Sequence, residues 1–245
     1  MAIKAVVFDA YGTLYDVQSV ARAVSAVFPD HSDYIVQMWR LKQLEYSWLR
    51  SLMGRYEDFR QVSLESLSYT LGTLGLSADD ATMQRLVDGY HALSPYPEAE
   101  QALSVLKAGY RLAILSNGSP AMLDALVRHS GLDRYLDAVL SVDAKRVFKP
   151  DPRAYELVQE RLGVRPDEVF FISSNGFDVA GARSFGFKVA RIERVTPEAL
   201  RAELTGGLIG PAAMFKAQRM QTEALGYDPS AIVHSLLELP ALLSA

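Results

Sequence analysis

One stretch constrains this chain more than any other: Ile3-Lys4-Ala5-Val6-Val7-Phe8-Asp9-Ala10-Tyr11-Gly12-Thr13. A short apolar run ends abruptly at a carboxylate. Continuous apolarity over so few residues reads as a strand covered on both faces, in the middle of a parallel sheet. Tyr11-Gly12-Thr13 is the turn that leaves it. In open α/β sheets the ligand crevice lies beyond the carboxyl ends of the strands. Asp9 thus stands either where a ligand sits or as a capping Asp at a strand-helix junction. The stretch alone does not choose.

After Thr13 the period changes. Residues 16–93 carry helical patterns and no strand. Asp33 is placed to cap a helix running to about Met53, with Tyr34, Met38, Leu41, Trp48 and Leu52 on its apolar face and Gly54 ending it. Phe59 falls in the connection that follows. Ser63 opens a second helix, and Asp79 or Asp80 a third. Trp39 and Trp48 read as packing within these helices. Ser94-Pro95-Tyr96-Pro97 then interrupts the pattern as a hinge or linker.

From Pro97 the chain alternates. Strands are expected at 111–115, 138–142, 168–172 and 187–192, with helices between them. Ser119-Pro120 and Asp151-Pro152 each supply a capping side chain and a first-turn proline. Strands alternating with helices mean βαβ units and a parallel sheet. Residues 196–245 read as helical packing or an oligomer surface. The expected fold is α/β, a Rossmann-like parallel-sheet core with a helical cap inserted after the first strand. Residues 1–15 and 97–245 form the core and residues 16–96 the cap.

Composition narrows the chemistry. The 245 residues include no cysteine, which removes disulfides, thiolate nucleophiles and Cys-based metal sites. Net charge is −4 with no Lys/Arg block, which argues against nucleic acid or an anionic membrane as partner. No apolar stretch is long enough to cross a bilayer, and the N-terminus lacks the pattern of a signal peptide, so a cytoplasmic location is expected.

Right-handed crossovers bring the strand ends to one edge. There the sequence gathers Asp9 and Thr13, Ser116 and Asn117, Lys149, and Ser173, Asn175 and Asp178. Small polar residues at helix starts are also ordinary caps, and a Lys before a Pro is ordinary surface. Arg40 has apolar neighbours one turn away, Val36 and Leu44. It is therefore either turned into the cleft or exposed with its stem across apolar surface.

In spacing and order the set resembles the haloacid dehalogenase superfamily. Asp9-Ala10-Tyr11-Gly12-Thr13 resembles its first motif, Leu115-Ser116-Asn117-Gly118 its second and Lys149-Pro150 its third. Ser173-Ser174-Asn175-Gly176-Phe177-Asp178 occupies the fourth. The resemblance covers residues 1 to 192, and it implies that Asp9 is a nucleophile. The phosphatase branch usually has a second Asp two residues later, where this chain has Tyr11. A phenol of reference pKa about 10 is a poor acid at neutral pH. Mg²⁺ wants several oxygen ligands, and the fourth motif offers only Asp178 as an acid. A halide leaving group needs neither proton nor metal, so the branch most resembled is that of the L-2-haloacid dehalogenases.

That resemblance implies roles. Lys149 holds the Asp9 carboxylate; Thr13, Ser173 and Asn175 orient it and the ester carbonyl; Asp178 positions water. Ser116 binds the substrate carboxylate together with the backbone at Ala10 and Tyr11. Arg40, Asn117 and Phe59 receive the halide, and Tyr11, Leu44, Phe59 and Phe177 form an apolar wall. Tyr155 supports Lys149. No metal or organic cofactor is expected. The expected partners are a small 2-haloacid, the released halide and a second copy of the chain in a homodimer. The rival readings are a Mg²⁺-dependent phosphatase of the same superfamily and a non-catalytic binding member of the fold.

Overall fold

The computed structural model describes residues 2–204, 209–219 and 222–244. In chain order its elements are β1 (Ala5–Phe8), α1 (Ala21–Ser25), α2 (Ser32–Leu52), α3 (Phe59–Thr73), α4 (Asp80–Asp88), α5 (Ala99–Leu106), β2 (Arg111–Ser116) and α6 (Pro120–Ser130). There follow β3 (Ala138–Ser141), α7 (Pro152–Leu162), β4 (Val169–Ser173), α8 (Gly176–Phe185), β5 (Lys188–Ile192), α9 (Pro197–Leu204), α10 (Pro211–Arg219), β6 (Ala231–Val233) and α11 (Leu239–Ser244).

The strands make one sheet in the order β3-β2-β1-β4-β5-β6, every neighbouring pair parallel. All four residues of β1 are fully buried, as its unbroken apolarity predicts. In register, Phe8 lies beside Ile114 of β2 and Ile172 of β4. The residues just beyond these three strands therefore share one edge. The chain leaves β1 toward β2 and β3, then crosses back to β4 on the other side. This strand-order reversal at β1 is where ligands bind in such sheets.

Three sequence expectations are corrected. A sixth strand, β6, pairs with β5 inside the terminal stretch that reads as helical; the parts of that stretch at 205–208, 220–221 and 245 lie outside the described residues. The second helix of the insertion starts at Phe59, not Ser63, because Asp58 accepts the Gln61 amide at 2.8 Å as its N-cap. Phe59 is thus helical rather than part of a connection. Finally, α2 starts at Ser32 after a 3-10 turn, and its buried face is Ile35, Val36, Trp39, Arg40, Gln43, Leu44 and Ser47. Leu52, counted on the apolar face, is 85% exposed. The polar members of the true face bond one another and α3, which is why hydropathy alone points elsewhere.

Between β1 and β2 the described elements are helical. The entry and exit of this insertion are tied side by side: Asp16 N–H donates to Ser94 O and Tyr96 N–H to Leu14 O, each at 2.9 Å.

Candidate active site

Asp9 follows β1 without a break in register; its N–H still donates to Ile172 O of β4 at 2.9 Å. The turn beyond is tight. Ala10 O accepts the amides of Thr13, Leu14 and Tyr15, and Gly12 has φ +87, where other residues are strained. Ala10 and Tyr11 therefore stand directly past the carboxylate.

Both carboxylate oxygens of Asp9 are engaged. Lys149 Nζ donates to its Oδ1 at 2.9 Å, Asn175 Nδ2 to its Oδ2 at 2.8 Å, and Thr13 Oγ1 to the same Oδ2 at 3.2 Å. Thr13 is fixed in turn, its hydroxyl accepting the Ser174 amide at 3.0 Å. Lys149 is 1% exposed. Its ammonium has three protons and finds three acceptors: Asp9, Asp178 Oδ2 at 2.7 Å and Leu115 O at 3.0 Å. Burial alone would depress its pKa, but Asp178 and Asp9 outweigh that and hold it above the ordinary lysine value. For Asp178, burial is the largest influence and Asp9 adds to it. Together they push its carboxyl up, against the pull of Lys149 and Tyr155.

Tyr155, expected to support Lys149, reaches it through Asp178. Its hydroxyl donates to Asp178 Oδ1 at 2.8 Å and remains protonated, since burial and then Asp178 raise its pKa well above the phenol value. The approach of Tyr155 to α8 requires Gly181, where a Cβ would lie 2.5 Å from the hydroxyl. Ser173 differs from expectation. Its Oγ accepts the Asn175 amide at 3.1 Å, so it shapes the loop that carries Asn175. Ser116 Oγ accepts the Gly118 amide at 3.2 Å, and Asn117 Oδ1 accepts the Lys149 amide at 2.9 Å.

Asn175 decides what the site can hold. Its Nδ2 donates both to Asp9 Oδ2 and to Tyr11 O, the latter at 3.3 Å. A divalent cation at this edge needs such oxygens as ligands at about 2.0–2.6 Å. Here both are turned to an amide nitrogen. Among the described residues no three His, Asp or Glu side chains gather as a metal site. The donor set does not fit Mg²⁺.

The inserted helices close the edge with aromatic and cationic side chains. Tyr11 stacks on Phe59 at 5.7 Å and meets Tyr90 edge-on at 5.8 Å. Its hydroxyl is buried with no hydrogen-bond partner among the described residues, and burial raises its pKa above the phenol value. Tyr11 therefore keeps its proton. Arg40 lies over the same ring at 5.9 Å, is 5% exposed, and has no carboxylate partner among the described residues. Its guanidinium donates to Gln43 Oε1 at 3.3 Å, which also accepts the Tyr90 hydroxyl at 3.0 Å. Gln43 is a residue that sequence reasoning misses, because its burial shows only in the structure. Leu44 is buried on the same face of α2. One turn further, Trp48 crosses to the core and meets Phe177 at 5.2 Å, so it is not packing within the insertion alone.

The structure thus brings Asp9, Thr13, Lys149, Asn175, Asp178 and Tyr155 into one bonded network. Ser116 and Ser173 end the strands beside it, Asn117 begins the loop after β2, and the Tyr11 ring touches both Phe59 and Arg40. Phe177 meets Trp48, and Leu44 is buried on α2.

Comparison with known proteins follows from this arrangement. The family model for haloacid dehalogenase-like hydrolases matches residues 3–186. An (S)-2-haloacid dehalogenase of Xanthobacter autotrophicus is 58% identical over 98% of this chain and 95% of its own length. One of Pseudomonas putida is 47% identical over 78% of this chain and 85% of its own. The crystal structure of L-2-haloacid dehalogenase from Xanthobacter autotrophicus superposes with a TM-score of 0.96 at 57% identity, covering 99% of each chain. A second crystal structure of that enzyme, with chloropropionic acid covalently bound, matches equally.

Proposed function

The chain belongs to the haloacid dehalogenase-like hydrolase family, and from that premise we propose that it hydrolyses short L-2-haloalkanoic acids to the D-2-hydroxy acids through an ester on Asp9. The observation that carries this reading is the Asn175 amide. It closes the carboxylate and the neighbouring Tyr11 carbonyl against a cation while holding the carboxylate in one orientation. Tyr11, buried and protonated, supplies no acid. A carboxylate with neither metal nor proton donor suits a leaving group that needs neither.

An Asp9 oxygen attacks C2 in line. The carbon–halogen bond breaks, the halide departs with the electron pair, and C2 inverts. Arg40 faces the charge that develops on the halide, with Asn117 and Phe59 beside it. The substrate carboxylate lies at Ser116 and the amides of Ala10 and Tyr11. Water then adds to the Asp9 carbonyl carbon, held by Asp178, Lys149 and Thr13. The bond from that carbon to the ester oxygen breaks, one water proton passes to the departing oxygen and the other to Asp178 and on to solvent, and the regenerated Asp9 carboxylate carries one oxygen from water. Leu44, Phe59, Tyr11 and Phe177 keep bulk water out. Asn175 and Ser173 hold the loop through both steps.

The same reading takes residues 16–96 as the cap and residues 1–15 with 97–245 as the core, and the working form as a cytoplasmic homodimer. Exposed Leu49, Leu52 and Met53 at the end of α2 offer an apolar surface for such a pair.

In ¹⁸O-water, one turnover on L-2-chloropropionate should place label in the Asp9 carboxylate, read by mass spectrometry of the peptide. Asp9→Asn should abolish chloride release, and chelator should leave the parent rate unchanged. Full activity in Asp9→Asn, or loss of activity with chelator, overturns the proposal.

A further inference from the structure

Behind the Tyr11–Arg40 wall lies a cavity of about 140 Å³. It is bounded by the start of the insertion, the residues after β5, and α10. A water needs about 10–15 Å³ on the same measure, so a small carboxylic acid fits. Tyr11, Ser174 and Asn175 form its inner wall. Because Asn175 also bonds Asp9, one layer of side chains separates the cavity from the nucleophile.

Its charge is uneven. Arg40, Arg191, Arg194 and Lys216 line it against Asp16 and Glu193. Arg191 bonds Glu193, Arg194 bonds Glu98 and Lys216 bonds Glu203. Among the described residues Arg40 hydrogen-bonds the neutral Gln43 and pairs with no carboxylate. A buried cation without a carboxylate lowers its energy by meeting a mobile anion. Arg40 thus fronts the reaction site through Tyr11 and the cavity through its own lining contact. Lys216 is 34% exposed in its side chain and stands toward solvent.

We infer that this cavity is the anion passage of the enzyme: the haloacid enters and the halide leaves between α10 and the residues after β5. Lys216 and Arg191, each ion-paired, line its outer part and Arg40 is the inner gate. This rests on the reading of the site as a dehalogenase. Oppositely charged clefts raise association rates and do so less as salt rises.

The test uses the full-length enzyme and L-2-chloropropionate. Lys216→Glu should lower kcat/KM about three- to tenfold at low ionic strength, and the loss should disappear in sodium sulfate near 0.3 M. Lys188→Glu carries the same charge change at the opposite end of β5 and should alter nothing. Ala212→Trp, which fills the cavity from α10, should lower kcat/KM about tenfold or more at every ionic strength, roughly the loss expected from obstructing a required path. If Ala212→Trp fails to fold by circular dichroism, Lys216→Glu with its salt series decides alone. Parent-like kcat/KM in the folded variants overturns the passage while the dehalogenase reading stands. A parent enzyme that releases no chloride overturns both.

Discussion

Lys149 has three protons and three buried acceptors, and that count governs what substitution does. Lys149→Met leaves Asp9 and Asp178 facing each other without a cation. Breaking a buried ionic cluster from one side costs about 3–5 kcal/mol, so urea unfolding should show a loss of that size, with chloride release abolished. The sign of the pH dependence follows from the direction of the shift. The Lys149 pKa is raised, so its stabilising effect is complete below the ordinary lysine value and is lost only as pH climbs through the higher folded value. Asp178 is raised as well, so ionising it in the fold carries a cost that acid relieves. Tyr155 reduces that cost by donating to the ionised form. Tyr155→Phe should therefore move the acid limb of the kcat profile upward by about one pH unit, since a hydrogen bond to a charge is worth about 1.5–3 kcal/mol and a pH unit 1.36. An unmoved limb would show that Asp178 ionisation does not govern the acid side. The polar residues around Asp9 were readable because they lie at strand ends, in the loops that follow strands, or at a helix start along one sheet edge. Gln43 was not, because an amide on a helix ordinarily faces water and only the buried Arg40 and Tyr90 draw this one inward.

At the level of elements, α2 carries most of what the pattern of apolar residues missed. It packs against both α3 and the catalytic edge, so its buried face is wide and includes Arg40, Gln43 and Ser47. A stripe drawn through apolar residues alone rotates away from it. The strands β1, β2, β4 and β5 were legible from apolar runs that end at polar turns. By contrast β6 is three residues long and gains its place only by pairing with β5. The stripe Arg40, Leu44, Trp48 follows the helix along the site, and Trp48 ends it against Phe177. With Phe177 proposed to wall the substrate, the indole packed against it is the group expected to limit substrate length. Trp48→Ala should raise kcat/KM for L-2-chlorobutyrate relative to L-2-chloropropionate by about tenfold, the value of one methylene in an apolar pocket. An unchanged ratio would place the length limit elsewhere. Asp58, which caps α3, gives a separate readout: Asp58→Ala should cost about 1 kcal/mol in thermal unfolding and leave that ratio unchanged.

For the molecule as a whole, the insertion is held to the core at two ends. One is the paired backbone at Asp16–Ser94 and Leu14–Tyr96. The other is a clamp across the far side, where Phe148 N–H donates to Ser51 Oγ at 2.9 Å and the Tyr56 hydroxyl to Asp143 Oδ1 at 3.0 Å. The Tyr56 ring also lies on Phe148 with centroids 4.8 Å apart. Burial first, then Asp143, raises the Tyr56 pKa above the phenol value, so the hydroxyl remains a donor through neutral and alkaline pH. Tyr56→Phe keeps the ring contact and removes the bond. The site is part-exposed, so about 1 kcal/mol of stability should be lost in thermal unfolding. The effect on turnover separates two ways of working. If substrate enters by the insertion swinging off the core, loosening the clamp favours the open state and kcat/KM rises. If anions travel behind Arg40, entry is independent of the clamp and kcat/KM stays within about twofold of the parent, less than the 1.36 kcal/mol that a tenfold change represents. The second outcome is expected, because the cavity reaches the Tyr11–Asn175 layer while both ends of the insertion remain closed.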